Sequence, residues 1–196
     1  MFDILRDKTL YNKMIVAAIP LSAVCCTAFT ALLSAATMVA TVVLSALLIN
    51  LLKNFLNNKT ARFAHIIIAV GIAGVFALLL KIIAEETIVS IGFYLPLLAV
   101  TSTILADSDF AMENEIITTV AGGAVTSCTS GLFLLTCGII REIMGVGSVF
   151  GMDIYTKWFS PMAFFATPAG GLLTAAILTV IYNFLVLKTG KKEVVE

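Results

Sequence analysis

Long apolar runs alternate along the chain with short clusters of charge, and the lengths of the runs predict its elements. Residues 14–52 carry no charged side chain, a stretch too long for one bilayer crossing and suited to two spans joined tightly. Residues 63–80, 87–106 and 116–140 each supply one further run. Residues 158–187 supply the last, with Pro161 near its start and Pro168 a turn or two inside. A hydrocarbon core about 30 Å thick takes about 20 helical residues, so the pattern predicts six transmembrane helices. The charges gather at Asp3, Arg6, Asp7, Lys8 and Lys13, around residues 53–62, and at 188–196.

Composition fixes the class. Hydrophobic residues make up 60% and charged residues 12% of the 196-residue chain, against about 25% charged in soluble domains. Mean hydropathy is +1.08, and the expectation is an all-α integral membrane protein. The N-terminal run has basic residues before it, as a signal peptide would, but it does not stop at a cleavage site and reads as a retained span. With the N-terminus inside, Arg6, Lys8, Lys13, Lys53, Lys59, Arg62, Lys188, Lys191 and Lys192 are cytoplasmic, and only Lys81, Arg141 and Lys157 are outside. That is a positive-inside bias. It predicts a multi-pass, N-in/C-in membrane protein. No basic stripe on a soluble face suggests nucleic acid.

Two segments repeat. "AIPLSAVCCT" and "YLPLLAVTST" share a Pro-Leu-x-Ala-Val-x-x-Thr skeleton when aligned on Pro20 and Pro96. They fall in spans one and four, so equivalent helices run in opposite directions. This predicts two inverted three-span repeats, about 10–84 and about 87–187, within a single membrane domain (1–196). In such folds paired discontinuous helices meet near the midplane. Proline removes a backbone hydrogen bond and crowds the preceding turn, so helix breaks are expected at Pro20 and Pro96.

Three stretches narrow the reading: "GIIREIMGVGSVFGMDI" (138–154), "SPMAFFATPAGGLL" (160–173) and the apolar segment 19–55. They resemble the Rnf/Nqr membrane subunits, specifically the RnfE/NqrD branch. The resemblance covers nearly the whole chain and is most specific in the loop bearing Arg141, Glu142, Gly145, Gly147 and Gly151. It implies a six-span, inverted-repeat subunit of an ion-translocating electron-transport complex of the ferredoxin:NAD or NADH:quinone type, in the inner (cytoplasmic) membrane of a prokaryote. The implied partners are an oppositely oriented homologue (RnfA/NqrE-like) and flavin- and iron–sulfur-bearing subunits. It further implies a [2Fe–2S] cluster shared between the two homologues, each giving one cysteine from each of its two breaks. This chain departs there. The family's first ligand position, just before the proline of span one, holds Ile19, and the second, six residues after the proline of span four, holds Ser102. Cys25 and Cys26 are substitute thiols, Cys26 being the symmetry mate of Ser102. Adjacent helical residues, however, point about 100° apart. Otherwise Cys25, Cys26, Cys128 and Cys137 read as small apolar packing groups.

Arg141 and Glu142 are neighbours that do not face each other on a helix. Arg141 is expected either to snorkel to the headgroups or, with Glu142, to tie the glycine-bearing loop against a partner subunit. His65 reads as a boundary residue. Asp107, Asp109, Glu113 and Glu115 form a solvated loop or a cation-attracting mouth. Gly71 and Gly74, Gly122 and Gly123, and Gly170 and Gly171 predict close helix approaches. The expected role is a membrane subunit, non-catalytic by itself, of an Rnf/Nqr-type translocase. The rival is a small inverted-repeat transporter or channel component without a redox role, and a scaffold protein is third.

Overall fold

The computed structural model describes residues 8–23, 25–83, 101, 111–112, 114–150, 152–153 and 162–190. Pro96, Ser102, Asp107, Asp109, Glu113 and Gly151, and nearly all of the fourth run, lie outside the described residues. In chain order come α1 (Lys8–Ser22), α2 (Ala28–Leu52), α3 (Asn58–Ile83) and α4 (Ile116–Gly145). A short hairpin follows, β1 (Ser148–Val149) with β2 (Met152–Asp153), then α5 (Ala163–Ala166) and α6 (Pro168–Gly190). The described residues are all-α apart from that hairpin. By length and composition, α2, residues Thr60–Leu79 of α3, and α4 can each cross a membrane, and Pro168–Phe184 of α6 is a shorter apolar stretch.

The centre is the pair α2 and α4, which make the most extensive contact among the described elements. Their mating faces are built from small residues. A Cβ placed at Gly123 would meet Val42 and Ala46, at Gly131 Ala35 and Met38, and at Gly138 Ala31. Rising numbers on α4 meet falling numbers on α2, so the helices run antiparallel. Small side chains allow this approach because lipid supplies no hydrophobic drive between helices, leaving close packing to hold them. The buried hydroxyls in the seam do not need one another. Thr37, Thr41, Ser45, Thr126, Ser127 and Ser130 each donate to a carbonyl three or four residues back, at 2.7–3.1 Å.

Helix α3 lies on α2 through a four-residue stripe of Ala61, His65, Ala69 and Ala73, all buried. His65 is thus turned into the helix contact and away from the surroundings. Its Nε2 lies 3.2 Å from Ser45 Oγ, inside the α2–α3 contact. The opposite face of α3 turns Phe63, Ile67, Val70, Val75 and Leu78 outward, a composition suited to hydrocarbon. Gly71 and Gly74 belong to that outer side, where an added Cβ would meet nothing within 4 Å. Helix α1 does not lie along α2, as two tightly joined spans would. It packs on α4 and α6.

Candidate functional site: two backbone breaks closed by Arg141 and Glu142

Pro20 stands inside α1, and the helix runs through it to Ser22 before helical structure gives way at residues 25–27. The proline sits in the last turn and the break follows it. The second break is at Thr167, between α5 and α6. Here the local cause is direct. Pro168 takes the first helical position, where its missing N–H is not needed. The Thr167 backbone is extended, and its hydroxyl accepts from Gly170 N–H at 3.3 Å.

A helix end leaves carbonyls without intrahelical partners, and Ser22 and Cys25 are buried, where an unpaired backbone group is costly. Arg141, in the last turns of α4, supplies the missing donors to both breaks. Its Nη1 donates to the carbonyls of Ser22 (2.5 Å), Cys25 (3.0 Å) and Ala23 (3.3 Å). Its Nε donates to Phe165 O at 3.0 Å, and Nη2 to Thr167 O at 2.8 Å and Ala166 O at 3.4 Å. The side chain is 0% exposed, so it does not snorkel to the headgroups. The planar fork of the guanidinium is what lets one residue serve two segments.

Glu142 does the complementary task. Its Oε2 accepts from Ala28 N–H, the first residue of α2, at 2.7 Å, and its Oε1 accepts from Ser148 Oγ at 3.2 Å. The N-cap Thr27 holds Thr30 N–H at 3.2 Å in a reciprocal capping box. A carboxylate thus meets the positive end of α2 while a guanidinium meets the carbonyl end of α1, each matched to its helix dipole. The two adjacent residues point apart and together carry no net charge. Their separation on the helix, expected from sequence, is what lets them reach opposite sides of one break.

The glycines make room for this junction. A Cβ on Gly171 would fall 2.6 Å from Arg141 Nη1 and 2.9 Å from Ala23 Cα, and one on Gly145 would fall 3.0 Å from Ala166 N. Gly147 has φ 79°, a left-handed backbone that favours glycine, and its N–H closes α4 onto Glu142 O at 3.0 Å. Ser22 and Thr167 were not singled out in the sequence, whereas Gly171 was, as a close helix approach, and the structure puts it against Arg141 and Ala23. The Thr-Pro step and the paired glycines at 170–171 were the available signals.

The thiols surround the same junction. Cys25 and Cys137 are buried, Cys26 is half-buried and Cys128 is exposed. Cys26 Sγ donates to Ala166 O at 3.3 Å and lies 3.5 Å from Arg141 Nη2. These residues do not fit the iron–sulfur ligation that the resemblance implies. Ile19 offers only hydrocarbon, and its carbonyl is taken by Ser22 Oγ at 2.6 Å. Cys26 is committed to Ala166 and Arg141. Among the described residues no group of three or more His, Cys, Asp or Glu is placed to hold a metal ion. Of the acidic mouth only Glu115 is described, exposed as the N-cap of α4.

Comparison with known proteins gives this junction a family. A family model described as "Rnf-Nqr subunit, membrane protein" matches residues 2–179. The chain is 28% identical over 122 residues to the E-type subunit of the Na(+)-translocating ferredoxin:NAD(+) oxidoreductase complex of Acetobacterium woodii, covering 62% of each chain. It is 32% identical over 92 residues to the E-type subunit of the proton-translocating ferredoxin:NAD(+) oxidoreductase complex of Clostridium ljungdahlii, covering 46% of this chain and 43% of that one. It is 30% identical over 92 residues to the D-type subunit of the Na(+)-translocating NADH-quinone reductase of Pseudoalteromonas translucida, covering 44% and 41%. Each match thus spans less than two thirds of the relative's length. Since the family match runs from before α1 into α6 and takes in both breaks with the residues that close them, the chain belongs to the Rnf-Nqr subunit family of membrane proteins.

Proposed function

We propose that the chain is a membrane subunit of an ion-translocating electron-transport complex of the Rnf/Nqr type, and that it makes no bond by itself. The observation that carries this reading is the meeting of two broken segments on one buried arginine. Unwound backbone at membrane depth is tolerated only where protein satisfies it or where it lines a cavity, and it is the device around which inverted-repeat translocators are built. The chain sits N-in/C-in as six spans in two inverted repeats. It pairs with a homologous, oppositely oriented six-span subunit, and flavin- and iron–sulfur-bearing subunits complete the assembly. Arg141 and Glu142 hold the α1–α2 break and the β1–β2 loop as one rigid surface, which the partner subunit meets. Because Ile19 cannot bind iron and Cys26 is otherwise engaged, the span-one break contributes architecture rather than an electron carrier.

The test is extraction of the tagged chain from its own membranes in mild detergent, followed by mass spectrometry of what comes with it. A second six-span homologue together with flavin and iron–sulfur subunits is expected. A chain that emerges alone, or only with solute-handling proteins, would overturn the reading in favour of a transporter component.

A further inference from the structure

The turn between α2 and α3, residues 53–57, joins the ends of two stretches that can each cross a membrane, α2 and residues Thr60–Leu79 of α3. Phe55 is at its tip. Ser45 and His65, which touch across the helix pair, are equally far from it along the chain. The Phe55 side chain is 87% exposed, the most open large apolar side chain among the described residues. Packing within this chain does not explain an aromatic ring in that place. An apolar layer outside the chain does, and the end of two crossings is where a bilayer supplies one.

Charge beside the tip has one sign. Lys59 and Arg62 belong to the opening turns of α3, which has no acidic residue in its first turn, and no acid occurs anywhere between Asp7 and Glu85. The positive end of the α3 dipole points the same way. Lys53 serves the other flank, its Nζ donating toward Asn114 O at 3.5 Å beside the start of α4, whereas α3 packs on α2 and makes no extensive contact with α4. Directly after the exposed Arg62 the outward face of α3 becomes apolar. Phe63, Ile67 and Val70 stand exposed in one column, at the spacing of a single helix face. A soluble anion would make no use of that column, and a lipid without net charge would make no use of the basic cluster. Helix partners in membranes meet through small residues, but this end of α3 presents bulky ones, and its outer glycines, Gly71 and Gly74, lie farther along. Positive charge at the end of a crossing, with a hydrocarbon column running inward from it, is the profile of an anionic phospholipid.

We propose that the α2–α3 turn and the start of α3 bind an anionic phospholipid, its phosphate drawn to Arg62 and the charge of Lys59, its acyl chains laid along Phe63, Ile67 and Val70, and Phe55 entering the bilayer beside it. The site goes beyond the functional reading above and does not depend on it, since it needs only this chain in a membrane. The test uses the detergent-solubilised protein with whatever subunits co-purify, stripped of lipid. Its melting temperature is followed as phosphatidylglycerol is added to the micelles, with phosphatidylcholine as the charge control and glycerol 1-phosphate as the chain-free control. A rise of about 3–5 °C at tenfold saturation is expected with phosphatidylglycerol alone. Arg62→Gln should raise the half-saturating mole fraction about fivefold, and Arg62→Lys should restore most of that loss. In native membranes, Phe55→Cys carrying a benzophenone maleimide should give a phospholipid adduct on the peptide that bears position 55. An equal rise with phosphatidylcholine or glycerol 1-phosphate, no rise at all, or a midpoint unchanged in Arg62→Gln would overturn the proposal. So would an adduct at position 55 to another protein, which would make the turn a subunit contact.

Discussion

Replacing Arg141 by alanine removes the donors from two breaks at once. Four of its bonds are 3.0 Å or shorter, to the carbonyls of Ser22, Cys25, Phe165 and Thr167. A buried acceptor left unmade costs about 1–3 kcal/mol, so four set a gross range of about 4–12 kcal/mol. The losses share one network and are not additive, which argues for the lower part of that range. Even about 4–6 kcal/mol is a large share of a net stability of about 5–15 kcal/mol. For a chain of this size the melting temperature should fall by about 10–20 °C. Arg141→Lys keeps the charge but offers one ammonium in place of a fork. It can serve one break only, and should recover roughly half the loss. The assay is thermal unfolding in mild detergent, read by fluorescence-detected size exclusion, with Arg62→Ala on the exposed face of α3 as the control. Alkylation of Cys26, whose thiol is held between Ala166 and Arg141, should speed up in parallel. An Arg141→Ala protein that melts within about 2 °C of wild type, with Cys26 labelling unchanged, would refute the claim that this residue holds the breaks.

Glu142→Gln keeps an acceptor for Ala28 N–H but removes the charge from the start of α2, and should cost about 1–2 kcal/mol in unfolding experiments. Gly138→Ala brings a methyl into Ala31 and should destabilise the α2–α4 seam by about 1–3 kcal/mol. Gly71→Ala, facing open space, should leave the melting temperature unchanged or raise it slightly. An apolar maleimide should label Cys128 first and Cys26 more slowly, with Cys25 and Cys137 silent until the protein unfolds, following their exposure. Peptide mapping by mass spectrometry reads that order.

Hydropathy made the helices legible because each apolar run had to be long enough to cross the bilayer, and α2, α3 and α4 lie where the runs predicted. It set the ends less well. Helix α4 continues to Gly145, past the end of the run, because Arg141 and Glu142 are buried and need not be excluded from the helix core. The same cause hid their role. A charged residue at the end of an apolar run looks alike whether it turns to the headgroups or inward, and only the position of the carbonyls it meets decides. Pro20 pointed to the neighbourhood of the first break. The groups that close the break come from more than a hundred residues away, beyond any local pattern. Pro168 reads from the sequence as lying inside one continuous span, whereas it opens α6 just after the second break, the first helical position that proline favours.

The order of synthesis gives the Arg141 junction a further consequence. A chain made from its N-terminus inserts α1 and α2 long before residue 141 exists, and α5 and α6 follow later still. Through that interval the carbonyls of Ser22 and Cys25 have no guanidinium to meet, and the α2 N-terminus has no carboxylate. The first break must therefore stay hydrated, or be held by the insertion machinery, until α4 arrives. Its closure is a post-insertion event timed by α4, and the second break docks onto an arginine already in place. Quality control in the membrane then has one late step to watch. A chain arrested before Arg141 presents open backbone to lipid, the state that membrane proteases and insertion chaperones can distinguish from the finished fold.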